Sequence, residues 1–562
     1  MITISVIPHG LKLWIKGQQS PRMGQLRNPT RVQSTLNLQR FPEVVLSLPK
    51  QLLMAMLALA VYSGTISAQS FSPTYYSLGG RGTNPLQVDL NRDGIPDILV
   101  FNDIYGTEAM LSNASTGKFA IHKYAFNGVY VPLAPGDFNG DNKADVVFQG
   151  GNKLYVGYGD GSGNLGSLVS IPSLSGVLAG GTLNPQAVTA DFNGDHRADV
   201  AIAYGVSTST GLALKVVLYL NNGSGFTNAG TIFSHNYPSG VRGVSYDPTP
   251  ALDVLIGDFN AEGHADIAIK NLHANGDNDV EPAVDLYVLF GDGAGHFTSK
   301  TVFTGRVADY IFSAADMNDD GRTDLVGLNK IDNSAHIFYG AASRTFTEKL
   351  LSSSVTRRTM LWFAPQLADF DGNGRKDIAF ASAQPNTSDP NYGITVLHQS
   401  SLGSWVIGQY SDIDTFSTYS GWNPFNGPLT LGDYNRNGKA DVAAITTSDA
   451  NSHPDSAVMM LNQATTPVGK CAPTYGIHVC SSTTSSTNPV QISFSATTLY
   501  QLRKMEVWVD GAKKSESYHV FGQQGFSDVS LTLSAGTHKI DLLAVALDGK
   551  LEVKKSYSLT VQ

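Results

Sequence analysis

Short apolar runs bounded by turn residues recur along most of the chain. One unit reads Val254-Leu-Ile-Gly-Asp258, a polar stretch, Ala265-Asp-Ile-Ala-Ile269, then Asp285-Leu-Tyr-Val-Leu-Phe290, a turn Gly291-Asp-Gly-Ala-Gly295, and a last run from Phe297. Four short, turn-bounded strands form one repeat, and the repeat returns every 48 to 67 residues. That period predicts a β-propeller or solenoid. Seven units can be counted, but the seventh has no good fourth strand. A strand with the right pattern stands at the other end, Phe71-Ser-Pro-Thr-Tyr-Tyr-Ser-Leu-Gly79, so residues 71–79 are expected to complete the last blade. Closure of this kind leaves no open sheet edge.

The polar stretch between the first and second strand of each unit has the form D-x-[D/N]-x-[D/N/E]-G-x-x-D. Its copies are Asp89, Asn91, Asp93 and Asp97; Asp137, Asn139, Asp141 and Asp145; Asp191, Asn193, Asp195 and Asp199; and Asp258, Asn260, Glu262 and Asp266. Three more follow: Asp316, Asn318, Asp320 and Asp324; Asp369, Asp371, Asn373 and Asp377; and Asp433, Asn435, Asn437 and Asp441. Oxygen ligands on alternate residues and a closing carboxylate suit Ca²⁺, which takes six to eight oxygens and needs a sharp turn at the Gly. The position 12 Glu of an EF-hand is missing, and strands replace its helices. Up to seven Ca²⁺ sites are therefore expected, each in a hairpin. Asn142 and His196 replace the usual Gly in loops two and three, and loop seven has two carboxylates where the others have three.

Beyond the repeats, residues 464–487 are rich in Thr, Ser and Pro and read as a linker. Residues 488–562 alternate again, with the hairpin signals Asp510-Gly511 and Asp548-Gly549. About seven short strands there predict an immunoglobulin-like β-sandwich. The expected fold class is all-β: a seven-bladed propeller over 69–463, then the sandwich.

Composition fits this picture. The 562 residues include 57 Gly, only 15% are charged, and the net charge is −9. Such acidity gives no footprint for nucleic acid, and much of it lies in the seven loops. Residues 1–68 read as an export signal with a long n-region: Lys50, an apolar run over 52–62, then Ser63-Gly-Thr-Ile-Ser-Ala68, with cleavage expected after Ala68. Translation starting at Met23 or Met54 would shorten that n-region. The apolar run is too short to span a membrane, and no longer one follows. A secreted, cell-surface or periplasmic bacterial protein is expected, monomeric and without a membrane span. In an exported chain the two cysteines, Cys471 and Cys480, are expected to form a local disulfide.

The segments Gly136-Asp-Phe-Asn-Gly-Asp141 and Gly257-Asp-Phe-Asn260 resemble bacterial FG-GAP (VCBS-type) repeats, related to the integrin α-chain propeller. The resemblance covers roughly 71–463 and implies seven blades with Ca²⁺ in the loop joining the first two strands of each. The C-terminal segment resembles, more weakly, Ig-like modules at the ends of exported bacterial proteins.

Motifs for catalysis are missing from the sequence: there is no H-E-x-x-H, G-x-S-x-G, Walker loop or C-x-x-C. The expectation is a calcium-stabilised, non-catalytic binding or adhesion protein for an extracellular glycan or protein. A polysaccharide lyase or glycosidase using the propeller face, and a purely structural surface protein, are the alternatives. The long connections, at 234–250, 271–282, 382–391 and 412–428, fall on the face opposite the calcium loops. Their aromatics and Arg, namely Tyr237, Arg242, Tyr419, Trp422 and Phe425, are the candidate ligand contacts.

Overall fold

The computed structural model describes residues 3–7, 10–14 and 71–562, the last span except at 114, 117, 152, 172–181, 209–210, 238–240, 244–251, 276–281, 353–358, 361–362, 384–391, 401–402, 413–424, 426, 447–455, 464–473, 482–484, 519 and 549–550. The chain divides into two units, Met1–Ser63 and Gly64–Gln562. In the first, Thr3–Ile7 and Gly10–Trp14 pair as an antiparallel hairpin. The apolar run and small-residue stretch expected to act as a leader lie outside the described residues.

Every regular element described in the second unit is a strand. No helix among the described residues is long and apolar enough to cross a membrane. The first repeat makes a four-stranded sheet from Gly82–Val88, Asp97–Asn102, Gly106–Asn113 and Lys118–Lys123, each strand antiparallel to the next. Six more antiparallel sheets follow the same plan, and in the fourth and sixth the innermost position is shared by two short strands. The last sheet takes Thr430–Gly432, Asp441–Thr446 and Ser456–Asn462 from one end of the repeat region and Phe71–Ser77 from the other. Phe71 pairs with Asn462 and Ser77 with Ser456, a continuous antiparallel ladder.

In five of the seven loops an aromatic at the second position locks the sheet to its neighbour; loops one and five have Leu90 and Met317 there. Phe138 meets Phe226 of the next sheet edge-on, with ring centroids 5.4 Å apart, and Phe192–Phe297 and Phe259–Phe346 repeat the contact at 5.7 and 5.8 Å. Phe370 of the sixth sheet meets Phe71 at 6.0 Å, and Tyr434 of the seventh meets Phe119 of the first at 5.8 Å. Edge-to-face pairs of this kind add roughly 0.5–1.5 kcal/mol beyond the area they bury. The same contact thus joins neighbours in the middle of the repeat region and joins its last sheet to its first.

The innermost strands of all seven sheets line one central cavity of about 380 Å³. One end is capped by residues of the C-terminal region, Leu499–Arg503, Gly522–Gln523 and 546–548. That region is a two-sheet sandwich. One sheet orders Gly476–Val479, Val490–Thr497, Gln524–Leu531 and Val520–Phe521; the other is built on Leu502–Val509, Gly536–Ala546 and Leu551–Val561. Ile492, Phe494, Met505, Val507, Leu542 and Leu559 fill the space between them. Asp510 and Gly511 both take positive φ, 50° and 78°, and turn Leu502–Val509 back into Ala512–Ser517. Cys480 is disulfide-bonded; the chain's other cysteine, Cys471, lies outside the described residues.

Candidate functional site: seven acidic loops beneath a C-terminal cap

Each acidic loop is built the same way. Its last Asp is the first residue of the second strand: Asp97, Asp145, Asp199, Asp266, Asp324, Asp377 and Asp441 all open strands. All seven are fully buried. The carboxylate is a bracket. One oxygen accepts the amide of loop position two, as Asp145 accepts Phe138 N at 2.8 Å and Asp324 accepts Met317 N at 3.0 Å. The other accepts an amide at the end of the third strand, from Gly159 to Asp145 at 2.8 Å and from Gly340 to Asp324 at 2.9 Å.

The first Asp holds the turn. Its Oδ2 accepts the amide of position six: Gly94 at 3.1 Å, Asn142 at 2.9 Å, His196 at 2.9 Å and Gly321 at 2.8 Å. Asn142 and His196 carry the positive φ that Gly carries elsewhere, 58° and 65°, a conformation Asn tolerates better than His. A second left-handed residue sits at position four, where Arg92, Ala261, Asp319 and Arg436 have φ of 58–59°. Loops two and three place Gly140 and Gly194 there instead. The sequence reading missed this second bend; the glycine displaced from position six to position four in those two loops is its signal.

Burial pushes each closing carboxyl up, and the other carboxylates of the loop push it further. Asp145, Asp199 and Asp377 reach about 7, and Asp266 and Asp324 about 8. Asp97 and Asp441 stand well above the usual carboxylate range for the same two reasons. Negative charge is therefore concentrated in a poorly solvated place, where a cation or a proton relieves it. Several loops have a basic side chain beside a carboxylate: Lys143 reaches Asp141 at 3.1 Å in loop two and Arg197 reaches Asp195 at 3.2 Å in loop three. Arg503 Nη1 donates to Asp258 Oδ2 at 2.8 Å in loop four. His398 Nδ1 lies 3.0 Å from Asp377 Oδ2 in loop six.

The cap rests on these loops. Thr497 Oγ1 and Gln524 Nε2 both donate to Gly94 O of loop one, at 3.1 and 2.8 Å. Asp137 N of loop two donates to Tyr500 OH at 2.9 Å, and Tyr475 OH donates to Asn142 O at 3.3 Å. Lys376 Nζ, at position eight of loop six, donates to both Asp316 O of loop five and Tyr518 O of the cap. Asp433 N of loop seven donates to Gln524 Oε1. The loop face is thus covered by the chain's own C-terminal region.

The opposite face carries the turns between second and third strands and the crossings between sheets. Of the candidate ligand residues, Tyr237 and Phe425 lie here and are buried. Tyr237 OH donates to Asp285 Oδ2 at 2.6 Å and accepts from Asn271 Nδ2 at 2.8 Å, and its ring packs against His273. Burial and the adjacent Asp285 raise its hydroxyl far above the usual range, so it serves as a held donor. Phe425 bridges to Thr446 within the core shared by the sixth and seventh sheets. The backbone of Arg242 belongs to the short strand Val241–Gly243, while Tyr419 and Trp422 lie outside the described residues.

Other side chains do stand out on this face. Ile104 and Tyr105 tip the turn between the second and third strands of the first sheet, and Ile331 tips the matching turn of the fifth. Val129 projects from the crossing between the first and second sheets, and Val307 ends the fourth strand of the fourth. The two turns share a device: Asn102 Oδ1 accepts Ile104 N at 2.9 Å, and Asn329 Oδ1 accepts Ile331 N at 3.1 Å. Lys123 Nζ lies over the Tyr105 ring, 3.0 Å from its centroid. The signal in the sequence is an apolar residue two places after a strand-ending Asn, where a polar turn residue is usual.

A family model described as the FG-GAP-like repeat matches residues 89–148, 137–202 and 316–380. With the sheets described above, this makes the chain a repeat β-propeller protein carrying FG-GAP-like repeats. No curated protein matches it. Among solved structures, a lectin from Agrocybe aegerita that recognises non-reducing terminal N-acetylglucosamine is 17% identical, with a TM-score of 0.41, over 63% of this chain and 92% of the lectin. A polysaccharide lyase of family PL25, an ulvan lyase bound to -[GlcA(1-4)Rha3S]-, is 10% identical, with a TM-score of 0.40, over 70% of this chain and 96% of the lyase. The six-bladed fucose-binding lectin of Aleuria aurantia is 13% identical, with a TM-score of 0.33, over 63% of this chain and 98% of the lectin.

Proposed function

We propose that the chain is a calcium-stabilised, non-catalytic binding protein: a seven-bladed propeller, closed by residues 71–77 and followed by an Ig-like sandwich, that takes an extracellular glycan or protein on the face opposite its acidic loops. The observation that carries the reading is the asymmetry of the two faces. The loop face is occupied by the cap, while the other presents Ile104, Tyr105, Val129, Val307 and Ile331 to solvent on a rigid ring of sheets. Apolar and aromatic tips held on a rigid scaffold are the usual makings of a recognition surface. Tyr105 offers a ring for stacking on a sugar or anchoring a protein partner.

The loops fit a hard cation. Side-chain oxygens at positions one, three, five and nine, with the position-seven carbonyl, supply an oxygen shell of the number Ca²⁺ uses, and a bound cation would offset the cost of burying the closing carboxylates. Bound metal would hold the loops on which the cap sits. The test is a glycan and protein array probed with the mature protein, its Tyr105→Ala variant and an Ile104→Ser/Ile331→Ser double variant. Binding that both variants lose supports the reading. Binding that survives in both places the site elsewhere, and new unsaturated or reducing ends on incubation with polysaccharide would make the chain an enzyme instead.

A further inference from the structure

We infer that loop six is not a seventh calcium site but a mixed nitrogen–oxygen site for a borderline transition ion such as Zn²⁺, with His398 as a ligand. The inference rests on reading loop six as a cation loop and changes which cation it takes. In every repeat the amide at the end of the third strand points at the closing carboxylate; in loop six that amide belongs to Gln399, at 2.9 Å from Asp377 Oδ1. The residue just before it therefore occupies one structural position in all seven repeats. It is Leu111, Tyr158, Leu220, Phe290, Tyr339 and Leu461 in the others, and His398 only here.

The imidazole is turned into the loop. His398 is 4% exposed, and its Nδ1 stands 3.0 Å from Asp377 Oδ2 and 3.7 Å from Asp371 Oδ2. The three ligand atoms all lie within 4.8 Å of one another. Bonds of roughly 2.0–2.2 Å from one Zn²⁺ to imidazole nitrogen and carboxylate oxygens put tetrahedral neighbours about 3.3 Å apart, which lies between the two measured separations. Ca²⁺ prefers oxygen throughout, whereas imidazole suits Zn²⁺ and its neighbours in the first transition row. Ligation through Nδ1 requires the tautomer protonated on Nε2. A histidine that only hydrogen-bonds Asp377 is the competing account, and it makes no distinction between metals.

The test uses the full chain and two variants that install residues already found at this position, His398→Leu and His398→Tyr. Each protein is loaded with Zn²⁺ or Co²⁺ in excess Ca²⁺ and dialysed; retained metal is then counted by mass spectrometry and the Co²⁺ form read by its visible d–d bands. The expected result is one tightly held Zn²⁺ or Co²⁺ per wild-type chain and its loss from both variants, with bound Ca²⁺ undiminished in either. Equal retention by the wild type and either folded variant, or none by the wild type, overturns the assignment. Calcium counted in the same samples separates the two readings: absence of Ca²⁺ from all loops sinks the calcium proposal while the His398 comparison still stands on its own.

Discussion

Arg503 of the C-terminal sandwich places its guanidinium 2.8 Å from Asp258 Oδ2, the first carboxylate of loop four, with both side chains buried. The two residues are 245 positions apart, so this pair can form only when the cap has docked. Removing one partner of a buried pair leaves the other charge without compensation, at a cost of about 3–5 kcal/mol. Arg503→Ala is expected to destabilise the protein by that order in calorimetry, and added Ca²⁺ to recover part of the loss by neutralising Asp258. A melting curve within about 0.5 kcal/mol of wild type would show that the pair does not hold the cap.

Calcium removal should loosen the cap before it melts the sheets. A metal bound only to the folded state stabilises it by mass action, and the cap's contacts fall on Gly94 O, Asp137 N, Asn142 O and Asp433 N, groups positioned by the loop conformation. With EGTA, the melting temperature is expected to fall and amide exchange to rise in 494–503 and 520–524. Exchange in those segments that ignores Ca²⁺ would separate docking from metal binding.

Deleting residues 71–79 exposes the edge Ser456–Asn462 and removes the Phe71–Phe370 contact. Unpaired strand edges template association. The truncated chain should elute as aggregates or melt well below the parent; a monomer with an unchanged melting curve would mean that the edge is protected some other way.

The loops should differ in affinity. Loop five has three carboxylates and Gly321 at its bend, whereas loop seven has two, Asp433 and Asp441, with Arg436 lowering the local negative potential. Titration calorimetry of Asp316→Ala and Asp433→Ala is expected to show the larger loss of Ca²⁺ binding from the first. Equal losses contradict the ranking.

Asp285 supplies a pH signature away from the loops. Burial alone would raise its carboxyl, but His273, Tyr237 and the Gly305 amide outweigh it and hold the group at about 2. A carboxyl lowered in the folded state contributes stability above its ordinary 3.8, and that contribution is lost as pH falls toward 2. Asp285→Asn should cost about 1–3 kcal/mol at neutral pH, since it alters an acceptor serving buried hydroxyls, and should flatten the acid limb of the stability curve. An acid limb unchanged in the variant would assign that limb to other carboxyls.

The repeat was legible in the chain because its determinants are local. An Asp just after one strand and an Asp that opens the next are eight residues apart in every copy, from Asp89 to Asp97 through Asp433 to Asp441, and the hairpin they close needs no distant partner. The all-β character follows from the same short runs. What lay beyond the sequence were pairings between groups far apart along it. Nothing near Asp258 announces Arg503, nothing near Asp377 marks His398, 21 residues on, as facing it, and nothing in the C-terminal alternation says that its ends close the channel. The candidate ligand aromatics show the same limit from the other side: ring-rich connections were recognisable, but Tyr237 finds Asp285 and Phe425 finds the core, because an aromatic ring gains more by burial than by exposure wherever neighbouring sheets leave it room. Local spacing determined the loops; the packing of sheets and cap, which sums many small contacts over long separations, decided which residues were left to face solvent.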